Sequence, residues 1–309
     1  MIAAMLLAGV LAQSRALATA DRATLLTGAS AALAAGQREE AKQLLRTAAD
    51  RFQSVQALLQ LARLQSGDGD AAGALETLRK ARVLAPNAED VLNAFAQVSL
   101  GARMPVQAIL TLESLTRLCP TVAQYHYLLG VALMTAGDIV GAVESLKKAD
   151  ALDPDRPLTL VALGLVHNNQ KNYADAKRTL ARSIELDADN VEALAALAEA
   201  EAGLGELAAA ETHATRVLAK SPAHPTANLV VGLVRMAQQR YAEARDALIT
   251  AAATDPRSPK PEYQLSLVYA RLGDEASAER HVNLYRQKLR DMEATVKALH
   301  ETGFGAVIK

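Results

Sequence analysis

The sequence predicts an all-α solenoid of about eight helix-turn-helix repeats, each 34 residues long. Three observations carry that prediction. Shifting the chain by 34 residues aligns it with itself over most of its length, the signature of stacked supersecondary units. Alanine recurs at one fixed position of every unit. Half of the 309 residues are apolar, yet only 3% are aromatic and tryptophan is absent, so the core must be built from alanine and leucine at short helix-to-helix distances.

The units begin at Arg22, Val55, Glu89, Ala123, Pro157, Val191, Pro225 and Pro259. Their twentieth positions are Ala41, Ala74, Ala108, Ala142, Ala176, Ala210, Ala244 and Ala278, without exception. The seventh position is bulky in seven units (Leu61, Phe95, Leu129, Leu163, Leu197, Val231, Leu265) and turns the first helix of each pair inward. The eighth is always small (Ala29, Ala62, Ala96, Gly130, Gly164, Ala198, Gly232, Ser266), as required where two helices cross closely. The twenty-fourth is Leu45, Leu78, Leu112, Leu146, Leu180, Ala214, Leu248 and Val282, one turn beyond the alanine, which makes a buried stripe on the second helix. Gly36, Gly69, Gly137, Gly205 and Gly273 mark the turn inside a unit, while Pro86, Pro120, Pro154, Pro222 and Pro256 stop the second helix.

These columns (small at eight, Ala at twenty, bulky at twenty-four, Pro at thirty-two) resemble the tetratricopeptide repeat family over residues 22–292. The unit from Ala123 to Arg156 shows the correspondence most fully, in Leu129-Gly130, Ala142, Leu146, Ala149 and Pro154. The first unit departs most, with Gly28 at the bulky seventh position and Gln53 where Pro is usual. The resemblance implies antiparallel helix pairs stacked into a right-handed superhelix whose concave face, lined by first helices, takes up partner segments. It also implies a scaffold without catalytic chemistry.

Residues 1–20 differ in kind from the rest. An apolar run from Ile2 to Ala12 followed by Ala16-Leu17-Ala18 has the form of a signal peptide, which would place the mature protein in the periplasm or outside the cell. The alternative is an apolar helix capping the solenoid of a cytoplasmic protein. At the other end, Val282, Tyr285, Leu289, Met292, Val296 and Leu299 step by three and four, so the last helix is expected to outrun its repeat, with residues 293–309 as extension and tail.

Charge and motif content exclude several classes. Lys and Arg (33) balance Asp and Glu (34), which gives no electrostatic case for nucleic acid, and no stretch is long and apolar enough for an integral membrane span. The segment Gly67–Gly73 has glycine spacing that superficially suggests a phosphate loop, but it falls at a turn between helices with no preceding strand. His126, His167, His213, His224, His281 and His300 show no ligand spacing, and the single Cys119 has no evident base. No cofactor, metal or catalytic residue is therefore expected. The basic clamp of tetratricopeptide domains that grip acidic tails is missing too: of the fifth and ninth positions only Arg63 is cationic.

What remains is a groove. Tyr127, Val131, Met134, Val161, Leu165, Leu229, Leu233, Met236, Tyr263 and Leu267 are expected to project inward from first helices, with Glu199 between them as a lone carboxylate. Gln56, Arg63, Asp90, Asn93 and Gln97 occupy the matching places earlier in the chain. The expectation is a scaffold that binds an apolar protein or peptide segment on the later half of the face, as a monomer. Superhelical curvature, or a tail carrying Phe304, Val307 and Ile308, would bury part of that groove. A self-assembly module dimerising through the last helix is the alternative.

Overall fold

A computed structural model describes residues 20–303, with side chains through Lys297. The apolar segment 1–18 and the tail residues Phe304, Val307 and Ile308 lie outside the described residues. Sixteen helices and no strand are found among the described residues, and they fall into two compact units, Met1–Pro120 and Thr121–Lys309.

The first unit holds three helix pairs: α1 (Arg22–Ala34) with α2 (Arg38–Phe52), α3 (Val55–Gly67) with α4 (Ala71–Leu84), and α5 (Glu89–Gly101) with α6 (Pro105–Leu118). The second holds five. They are α7 (Ala123–Ala136) with α8 (Ile139–Leu152), α9 (Pro157–Asn169) with α10 (Tyr173–Leu186), α11 (Val191–Gly203) with α12 (Leu207–Lys220), α13 (Pro225–Ala237) with α14 (Tyr241–Thr254), and α15 (Lys260–Leu272) with α16 (Glu275–Gly303). The expected register holds throughout, the last pair starting one residue later than the sequence suggests. Side chains cap several starts: Asp21, Ser54, Asp70, Asp138 and Asn190 each accept from the amide three residues on. Prolines open α6, α9 and α13, where no amide partner is lost.

The eighth, twentieth and twenty-fourth positions meet inside each pair. The alanines at position twenty from Ala41 to Ala244 are fully buried, as are Leu45, Leu78, Leu112, Leu146, Leu180 and Leu248. Where the eighth residue is glycine the helices come closer. A methyl on Gly130, Gly164 or Gly232 would lie 2.5, 2.4 or 2.6 Å from Cγ of Leu146, Leu180 or Leu248, inside any tolerable contact. Those three pairs, α7 with α8, α9 with α10 and α13 with α14, are the most extensively packed of the eight.

One turn geometry joins first to second helix in all eight repeats. The residue fifteen places into the unit is left-handed (φ between 56° and 88°), and the next amide donates at 2.8–3.0 Å to the carbonyl five residues back, which closes a Schellman motif. Five of these residues are glycine. Arg103, Lys171 and Gln239 hold the same conformation at φ 56°, 60° and 59° despite their side chains. A left-handed side-chain residue costs about 1–2 kcal/mol, partly offset because glycine loses more chain entropy on folding. Lys171→Gly is therefore expected to raise stability by about 0.5 kcal/mol, and Gly205→Ala, with open space around it, to lower it by about 1 kcal/mol. Urea denaturation of the two variants checks both signs.

The turn from Gly67 to Gly73 is structural. Asp70 caps α4, Gly69 is left-handed, and the Asp68 carboxylate is taken by Arg38 and Lys42 of the preceding repeat.

Candidate functional site

In the five-repeat unit, successive first helices α7, α9, α11, α13 and α15 pack side by side, whereas the second helices make no comparable contact with one another. A stack in which only one layer touches itself curves toward that layer, so the first helices line the inner face. The inward projection read from the sequence now has a surface on which to be placed.

Curvature divides that surface. Val161 and Leu229, at the fifth positions of α9 and α13, are buried. Leu165 packs against the cluster around Ala176, Leu180 and Leu197, and Leu233 and Met236 pack against the cluster around Leu229, Leu248 and Leu265. Tyr127, Val131 and Met134 on α7 are half-buried, with the Arg156 guanidinium 5.4 Å from the Tyr127 ring. At the far end Tyr263 and Leu267 remain 45% and 39% exposed. Leu158, half-exposed at the second position of α9, belongs to the same face; the second-position column of the repeat would have identified it.

Glu199 is not free to receive a ligand's cation. Lys260, at the start of α15, reaches across α13 and bonds its carboxylate at 2.6 Å. A first helix thus grips one two repeats away. No sequence period signals such a contact.

The end of the unit is built around a buried acid. Glu262 accepts from Lys288 Nζ at 2.7 Å and lies 2.6 Å from His281 Nδ1; Lys288 also donates to the Ser258 carbonyl at 3.1 Å. Burial pushes the Glu262 carboxyl up, but the hydrogen bonds from Lys288 and His281 outweigh it and hold the group below the ordinary glutamate range. The His281 ring stacks on Tyr269 at 5.3 Å, and Tyr285 meets Tyr263 at 5.4 Å. These contacts seat α16, which is 29 residues long where the other helices have 13–15.

In the three-repeat unit the matching places are polar. Gln56, Arg63, Asp90 and Gln97 are exposed, and Asn93 bonds Gln97 at 2.9 Å.

Among the described residues the other histidines pack or pair with neighbouring side chains; the His300 side chain lies outside them. His126 is buried; His213 bonds Glu201 at 2.8 Å; His224 caps α13 and approaches Glu192 at 3.3 Å. His167 lies at the eleventh position of α9, where burial lowers its affinity for a proton. Burial and then the Glu89 carboxylate push the Cys119 thiol up, away from the thiolate that nucleophilic chemistry needs. Among the described residues no group of three His, Cys, Asp or Glu could hold a metal ion, and no helix is long and apolar enough to cross a membrane.

Two models of the tetratricopeptide repeat match the chain, one over residues 26–89, 94–157 and 202–261 and the other over 133–200. A comparison with curated proteins finds no match. Among solved structures, the chain is similar to a tetratricopeptide repeat protein from Parabacteroides merdae ATCC 43184 (15% identity, TM-score 0.64, 80% of this chain and 98% of that one). It is similar as well to a chain of the APC/C hetero-tetramer Cut9-Hcn1 (19%, 0.60, 78% and 48%) and to human IFIT1, solved as a dimer with m7Gppp-AAAA (15%, 0.58, 92% and 74%). At these identities the likeness is one of fold. The eightfold register, the helix pairs and the matched models, which together span well over half of the sequence, show that the chain belongs to the tetratricopeptide repeat family, generally one of protein-interaction scaffolds.

Proposed function

We propose that the chain is a non-catalytic scaffold that holds an apolar segment of a partner protein on the inner face of its five-repeat unit. The observation that carries this reading is the apolar end of that face: Tyr263 and Leu267 on α15, at the fifth and ninth positions of the last repeat, expose apolar surface side by side. Family membership supports a protein partner. IFIT1 was solved with a capped RNA, but the charge balance here, 33 cationic against 34 anionic side chains, gives no reason to carry that ligand over.

The test substitutes what the fold does not need. Leu158→Asp with Leu267→Asp is expected to leave helicity and mass unchanged, because both side chains are exposed and neither takes part in seating α16, while reducing partner capture at least tenfold. Arg63→Ala, in the other unit, is expected to have no effect. The captured protein is identified by mass spectrometry, its bound segment synthesised, and the affinity of both variants measured by fluorescence anisotropy. Equal affinity of wild type and the double variant would place the partner elsewhere.

Support for self-assembly is thinner. Among its described side chains, the stripe such a seam would use is mostly turned onto the chain's own repeats: Val282, Tyr285, Leu289 and Val296 are partly covered and Met292 stands out. A monomer in sedimentation at micromolar concentration is the expected result.

A further inference from the structure

The last helix of the five-repeat unit reaches from its final repeat back to its first. Lys288 is seated at the start of α15 by Glu262 and Ser258, so the rest of α16 projects past the edge of the last repeat. Eight more residues advance a helix by about 12 Å. At that reach Val296 lies against Gly137, its Cγ2 3.0 Å from where a β-carbon would stand. Gly137 ends α7, the first helix of the unit, so α16 joins the unit's two ends.

Stacking does not require this. The second helices of the other repeats cover their neighbours with 14 or 15 residues, and α16 has already met Tyr263, Glu262 and Tyr269 by Lys288. Little of it is covered beyond that point: from Leu289 to Lys297 only Leu289, Thr295 and Val296 are partly covered, and the other six residues are exposed. A short apolar stripe on a polar helix is also the kind of ligand the face is read to accept.

We propose that residues 289–303 form a displaceable strap across the inner face, an internal ligand that an apolar partner segment must dislodge. The proposal rests on the reading of that face as the partner site. A tethered segment acts at millimolar effective concentration, so a weak contact suffices to occlude the face until a stronger ligand arrives.

The experiment uses the full chain with Val296→Asp and a fluorescein-labelled synthetic peptide of residues 288–303, which makes it independent of the unknown partner. Hydrogen exchange in Val296→Asp is expected to quicken both in 289–297 and in 133–138, two segments far apart in sequence, with the rest unchanged. The peptide is expected to bind the Val296→Asp chain at least tenfold more tightly than the wild type, whose own strap competes. A peptide carrying the same substitution is expected not to bind either chain. Unchanged exchange at 133–138 overturns the proposal, and so does equal peptide binding by the two chains. An opened chain that binds the peptide but captures no partner would instead remove the partner-site reading and leave the strap standing.

Discussion

Leu180→Ala is expected to destabilise the five-repeat unit by about 2–5 kcal/mol, because a fully buried leucine is removed from the tightest kind of helix crossing in the molecule. The informative measurement is the cycle with its neighbour. Gly164→Ala alone gains up to about 1 kcal/mol of helix propensity but forces a methyl to within 2.4–2.9 Å of three Leu180 atoms, an overpacking that costs about 1–3 kcal/mol. Sterics win, so the single variant is expected to be less stable than wild type. With Leu180 already shortened, the same methyl enters the vacated space and the propensity gain shows. Gly164→Ala should then be stabilising, with a coupling of about 2 kcal/mol in urea denaturation followed by circular dichroism. Strict additivity would mean that the two helices separate at little cost. Ala62 and Leu78 occupy the same two positions in the second repeat, so the prediction rests on the interhelix spacing of the glycine repeats, not on residue type alone.

Glu262→Ala is the second large effect. It strands Lys288 and His281 against a buried site, a loss of about 3–5 kcal/mol by comparison with other broken buried pairs. The damage should be local, since repeats lean on their neighbours: exchange protection is expected to fall first in α15 and α16. The pH dependence has a definite sign. The folded carboxyl titrates below its unfolded value, so its contribution is fully present above the ordinary glutamate range and is lost as pH falls through the lower, folded value. The stability gap between wild type and Glu262→Gln should therefore narrow on acidification and stay constant from neutral pH upward.

The repeat register was legible because each of its columns is sampled in eight units, which makes a single anomaly such as Gly28 harmless. The first repeat closes without proline because Gln53 turns left-handed at φ 48°. Arg103, Lys171 and Gln239 hid three of the eight turns, since only glycine advertises that conformation in a sequence. The long last helix was also readable, and it runs unbroken through residue 292 to Gly303. The site was less so. Whether Val161 is covered and Tyr263 open depends on curvature, a sum of small rotations that no column encodes. The Lys260 to Glu199 pair and the seating of Val296 on Gly137 skip repeats altogether, so a period of 34 residues carries no trace of them.

That last contact has a kinetic consequence. An ordinary repeat array assembles by adding each pair to the one before it, with only short loops to close and with partly folded chains as natural intermediates. Here the final step brings together segments from opposite ends of the unit, and its loop-closure entropy is met only when every intervening repeat is already in place. The contact thus acts as a check on completeness. Wild-type unfolding of the five-repeat unit should be closer to all-or-none than that of Val296→Asp, whose ends are free to fray one pair at a time.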